Sequence, residues 1–124
     1  MPCEKAWEPQ GLYRKFSGDI SFAEILESNL EDQSDYRFPS IDYVIDDMSE
    51  ITSLSLDGQD TEAIAKINNI FAATKGRFKI VICIQDNPMQ TAIAQGFQKQ
   101  MESTPFECAV FHNLTDARAW AEAP

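Results

Sequence analysis

A chain of 124 residues carrying 20 acidic and 10 basic side chains, net charge −10, repels phosphate backbones and anionic lipid surfaces alike, which argues against nucleic-acid binding and against stable membrane insertion. Its 44% hydrophobic and 24% charged residues are ordinary globular composition, and the length suits one domain, residues 1–124, with its own core. The opening Met1-Pro2-Cys3-Glu4-Lys5 lacks a secretion-signal pattern, and Cys3, Cys83 and Cys108 form no CxxC pair, so the expected compartment is the cytoplasm, with no redox motif or metal cage.

Cys3 to Glu8 reads as a short strand, Pro9-Gln10-Gly11 as a turn, and Leu12 to Phe16 as a second strand, so the chain opens with a hairpin. Ser17-Gly18-Asp19 breaks it. Ser21 with Glu24 has capping-box spacing, and Phe22, Ile25, Leu26 and Leu30 define one buried face of a first helix that ends near Asp32. Ser34 to Ser40, with Pro39, is a loop. Ile41 to Asp46 is β-branched and aromatic and reads as a strand, followed by small polar residues without strong periodicity from Met48 to Gly58. Thr61 to Thr74 is the next helix, with Ile64, Ile67, Ile70 and Phe71 inward and Gly76 as its cap.

Phe78 to Ile84 is an apolar run of strand length, expected at the sheet centre with both faces covered. Asn87-Pro88 starts a third helix, Asn as cap and Pro in the first turn, with Met89, Ile93, Gly96 and Phe97 inward. Glu107 to Phe111 is the last strand, and Thr115 to Glu122 a short terminal helix held by Leu114, Ala117 and Trp120. The order β-β-α-β-α-β-α-β-α predicts an α/β fold. Its mixed sheet has about five strands: an opening hairpin, then strands joined by right-handed crossovers, with about four helices.

In this order the chain resembles the SpoIIAA-like (STAS) family of small bacterial proteins, in particular the branch labelled STAS/SEC14. Trp7 precedes the opening turn. Tyr13, Phe16, Ser17 and Gly18 match a Tyr-x-x-Phe-Ser-Gly strand end. Val110, Phe111, Leu114, Ala117 and Trp120 match the closing pattern. The family's Asp-Leu-Ser falls on Asp47-Met48-Ser49, and its Asp-Ser-Ser-Gly on Ser55-Leu56-Asp57-Gly58. The resemblance implies a SpoIIAA-like fold and a non-enzymatic regulatory or protein-interaction role. The family's phosphoacceptor serine is replaced here, because Leu56 and Asp57 stand at the two serine positions. Asp57 reads as a helix cap.

No catalytic constellation and no cofactor motif emerges. His112 is the sole histidine, and Cys108, four residues away on the same strand, is about 13 Å off at the usual rise. Cys83 reads as an inert core thiol. Asp46, Asp47, Asp57 and Asp60 gather acid near one strand end, where a cation site is one reading and capped turns with a solvent-facing Asp60 the favoured one. The expected partner surface comprises Ser53, Ser55, Asp57, Gly58 and Gln59, together with Asp86 and Asn87 in the next turn. The alternative is a carrier or sensor for a small apolar, lipid-like ligand, with Phe71, Met89, Phe97 and Met101 as pocket candidates beside Phe106. The opening hairpin also offers an edge strand through which two copies can pair.

Overall fold

The computed structural model describes residues 3–124 except 56, 76 and 103, with the side chains of 61 and 71–75 also undescribed; Leu56, Gly76 and the Phe71 side chain therefore lie outside it. The elements are β1 (Cys3–Trp7), β2 (Gly11–Ser21), α1 (Phe22–Gln33), a 3-10 turn (Phe38–Ser40), β3 (Tyr43–Ser55), α2 (Gly58–Lys75), β4 (Lys79–Cys83), α3 (Pro88–Met101), β5 (Glu107–Phe111) and α4 (Leu114–Glu122). One five-stranded sheet has the order β1-β2-β3-β4-β5. β1 and β2 are antiparallel, and the other pairings are parallel.

Each new strand adds on the same side of the last one. Right-handed crossovers then place α1, α2 and α3 on one face. The strand residues that point there, Leu12, Phe16, Val44, Met48, Ile80 and Ile82, are buried in the main core. Phe78 joins Phe38 and Phe106 at ring distances of 5.3 and 5.0 Å. The opposite face is covered by α4, whose Ala117 and Ala121 pack on Tyr43, Ile45, Val81 and Cys83. β4 is buried along its whole length because it has a helix layer on each side, as its unbroken apolar run predicts. Lys79 enters this buried strand because its Nζ donates to the carbonyls of Trp120 and Ala123, at 2.8 and 2.7 Å, capping the end of α4. Gly11 faces the Tyr43 ring so closely that any Cβ would collide with it.

The strands β2 and β3 are longer than the sequence suggests. Ser17-Gly18-Asp19 does not end β2. The chain passes through two register shifts, with Gly18 at φ 74°, and pairing with β3 continues to Ser21 opposite Ser55. Residues Ser49 to Ser55, read as irregular, are therefore strand. β4 pairs only with Tyr43 to Asp47, so the far half of β3 has one free edge. Gln85 partly closes that edge, its Nε2 donating to the carbonyls of Ser49 and Ile51 at 2.6 and 3.1 Å.

The helix faces match the expected ones in part: Ile25 and Ile64 are buried in the core and Phe22 and Phe97 pack against it, as predicted. Leu30, Ile70 and Met89 are exposed, and Gly96 faces solvent. The inward residues are Ile25, Ser28, Asn29 and Asp32 on α1, Ile64, Ala65 and Asn68 on α2, and Gln90, Ala94 and Met101 on α3. Each inward face thus carries polar groups, and a count of apolar residues at helical spacing passes over them. Ser21 binds the Glu24 carboxylate at 3.5 Å rather than capping the backbone. The Asn87 and Asn113 caps form as their sequence signals predict.

Candidate functional site

The inward polar groups of α1 meet around Arg14. Strand alternation places Arg14 between Leu12 and Phe16 on the helix face of β2, where it is fully buried. Its Nε and Nη2 reach both oxygens of Asp46 at 2.6 and 2.9 Å, and Nη1 reaches Asn29 at 2.7 Å and Asp32 at 3.0 Å. Ser28 adds a bond at 3.2 Å, and Lys5 clamps the other Asp32 oxygen at 2.6 Å. Burial works against the guanidinium charge, but Asp46 and Asp32 outweigh it and hold Arg14 firmly protonated. Two cations face two carboxylates, so the buried cluster is neutral.

Beside this cluster lies a cavity of about 80 Å³ between the sheet and α1–α3. Its walls are mostly apolar, with Val44, Ile64, Ile82 and Ala94 among them. Leu54, Ile93 and Phe97 line it while keeping partial exposure, and so form its wall toward solvent. Arg14 and Asp46 close one side, and Gln33, Asn68 and Gln90 contribute amides. Gln33 Nε2 donates to Asn68 Oδ1 at 2.8 Å. Among the described residues the carbonyl oxygens of Gln33 and Gln90 have no hydrogen-bond partner.

Of the expected pocket residues, Phe97 lines this cavity. Met101 is buried but is not part of the lining, its sulfur 3.9 Å from Asn68 Nδ2. Met89 is 70% exposed and points elsewhere. Phe106 lines the cavity from the end of the α3–β5 connection. Arg14, Gln33, Asn68 and Gln90 were not singled out. Arg14 was detectable in principle, since it shares strand parity with the buried Leu12 and Phe16.

The expected partner surface is divided. Ser53 and Ser55 belong to β3, and the Ser53 and Thr52 hydroxyls both donate to Asp19 at 2.8 Å. Asp57 caps α2: its carboxylate accepts from the Asp60 N–H at 2.8 Å, and Asp60 accepts in return from the Asp57 N–H at 3.1 Å. Asp60 is thus partly buried and engaged rather than simply solvent-facing. Gly58 lies beside Gln100 at the end of α3, whereas Asp86 and Asn87 sit at its beginning. A helix of 14 residues separates those ends by about 20 Å.

The four aspartates do not converge. Asp46 and Asp47 alternate across the sheet, Asp46 toward Arg14 and Asp47 toward the α4 face. There Asp47 accepts from Tyr13 and from the Ser49 hydroxyl at 2.6 Å. Burial pushes the Asp47 carboxyl upward, yet the Ser49 and Tyr13 bonds prevail and hold it below its ordinary value. Among the described residues no group of three or more His, Cys, Asp or Glu is arranged to hold a metal. Burial and the neighbouring Asp47 charge push the Cys83 thiol up to about 11, and burial with Asp46 pushes Cys108 up to about 12. Cys83 pairs in register with Phe111, and His112 next to it is exposed.

Among the described residues no helix is long and apolar enough to cross a membrane. No family model matches the chain, and no curated protein matches it at a significant level. A solved structure does match it: an uncharacterized protein of the DUF3478 family, with a SpoIIAA-like fold, from Shewanella loihica PV-4. The likeness has a TM-score of 0.57 at 17% identity and covers 96% of this chain and 91% of that one. The chain thus has the SpoIIAA-like α/β fold, built here as a hairpin-led five-stranded mixed sheet with four helices.

Proposed function

We propose that the protein is a non-enzymatic STAS-type binding module whose ligand is a small, largely apolar molecule held between the sheet and the crossover helices. The observation that carries this reading is the cavity itself. It has apolar walls, a few convergent amides, and a partly exposed gate of Leu54, Ile93 and Phe97. Small-molecule sites combine these features, with apolar lining for affinity and few polar groups for orientation. At about 80 Å³ it is roughly half the size of dry cavities that accept benzene, so the chamber suits a small molecule or the end of a longer one. The non-enzymatic part is supported by the raised Cys83 and Cys108 thiols, which stay protonated at neutral pH and are poor nucleophiles.

Benzene titrated against the labelled protein, followed by backbone NMR, tests the reading. Shifts are expected around Val44, Ile82 and Phe97, and Ala94→Leu, which fills the chamber, abolishes them. Unperturbed spectra with both benzene and the smaller probe xenon rule the cavity out as a binding site.

A second reading, a protein partner, is favoured by the exposure of Ser55, Asp57, Gly58 and Gln59 along one continuous segment. Gln59→Lys is the suitable probe, because Asp57 also caps α2 and its substitution perturbs the helix. Identical co-purifying proteins with wild type and Gln59→Lys remove this segment from consideration.

A further inference from the structure

We infer that the cavity selects an uncharged ligand carrying a hydrogen-bond donor, an alcohol rather than a carboxylate, and that Gln90 reads that donor. The inference rests on the cavity being a ligand site and adds the chemistry of what it takes.

Gln90 is 7% exposed and lines the chamber from the first turn of α3. Its carbonyl oxygen has no partner among the described residues. A buried acceptor without a donor is costly, so native structures almost always satisfy it. Gln33 lines the same chamber. Its Nε2 is committed to Asn68, which orients the amide and leaves its carbonyl oxygen, too, without a donor. Both unmatched atoms are therefore acceptors, and what they lack is a donor.

The charged groups that line the same chamber exclude an anion. Arg14 is the cation that a carboxylate would seek, but it already binds Asp46 through two bonds and Asp32 through a third. Lys5 balances the remaining Asp32 oxygen. An entering carboxylate would face two carboxylates and two amide oxygens, with no free positive charge. A hydroxyl loses nothing to the cluster and supplies the missing proton donor. The apolar walls take its alkyl part.

The test compares 1-butanol with methyl propyl ether, which has the same atoms but no donor, and with butanoate, each titrated by NMR beside benzene as a probe of the chamber. Butanol is expected to bind roughly tenfold more tightly than the ether. Butanoate is expected to leave the cavity resonances unmoved. In Gln90→Met, which keeps the volume and removes the amide, butanol and ether are expected to bind alike. If butanol and ether bind equally to the wild-type protein, or butanoate matches butanol, the donor inference is overturned while benzene binding leaves the cavity reading standing. If benzene and xenon fail as well, both fall. Should Gln90→Met not fold, the comparison of three ligands on the wild-type protein still decides.

Discussion

The guanidinium of Arg14 and the carboxylate of Asp46 face each other across neighbouring parallel strands, joined by two bonds of 2.6 and 2.9 Å in the buried interior. Such a pair adds little over well-packed apolar residues, but breaking it strands a buried charge. Arg14→Met is therefore expected to cost about 3–5 kcal/mol, measured by urea unfolding. Arg14→Met combined with Asp46→Leu is expected to recover a large part of that loss, because no unpaired charge remains on β3 and Lys5 still neutralises Asp32. A double variant as unstable as the single one contradicts this account.

Alkaline pH is expected to weaken the fold through three buried acids that are neutral in the native state. Cys83 is pushed up to about 11 by burial and Asp47, Cys108 up to about 12 by burial and Asp46, and Tyr43 up to about 12 by burial and its bond to Glu8. The ordinary values are 9.0 for the thiols and 10.0 for the phenol. Between those values and the raised ones the unfolded chain has released protons that the folded chain retains. Stability is thus fully present below about pH 9 and falls as pH rises toward 12. Urea midpoints are expected to be level from pH 7 to 8.5 and to drop above pH 9. The drop is shallower in Cys83→Ala/Cys108→Ala, and an identical slope in that variant refutes the assignment to the thiols.

At the start of α2, Asp57 and Asp60 satisfy each other's backbone N–H groups. Asp57→Ala is expected to cost about 1 kcal/mol, the usual worth of an N-cap. Because the two bonds form one reciprocal unit, Asp57→Ala/Asp60→Ala is expected to cost less than the sum of the single changes. Strict additivity by thermal unfolding means that the caps act independently.

The sequence by itself determined the order of the elements. Strand and helix periodicities differ, caps and turns carry their own chemistry, and both are local. The Asn87-Pro88 start, the buried run at β4 and the bounds of β5 could be read directly for this reason. The similarity of Trp7, Tyr13 to Gly18 and Val110 to Trp120 to known patterns then pointed to the SpoIIAA-like fold. Only the tertiary structure decided the rest. Continuation of β2 through Gly18 depends on β3 supplying partners beyond the bulge, and no local signal contains that pairing. The inward face of α1 is polar in part because Arg14 is buried. A buried cation makes Ser28, Asn29 and Asp32 inward residues, against what apolar spacing alone predicts. Asp46 and Asp47, neighbours in sequence, end on opposite faces of the sheet because strand side chains alternate. Of the cavity, the sequence offered only Phe97 and Phe106 among its pocket candidates; its polar border could not be foreseen, since the cavity is a space between elements and Gln33, Asn68 and Gln90 border it only once three helices have packed on one sheet.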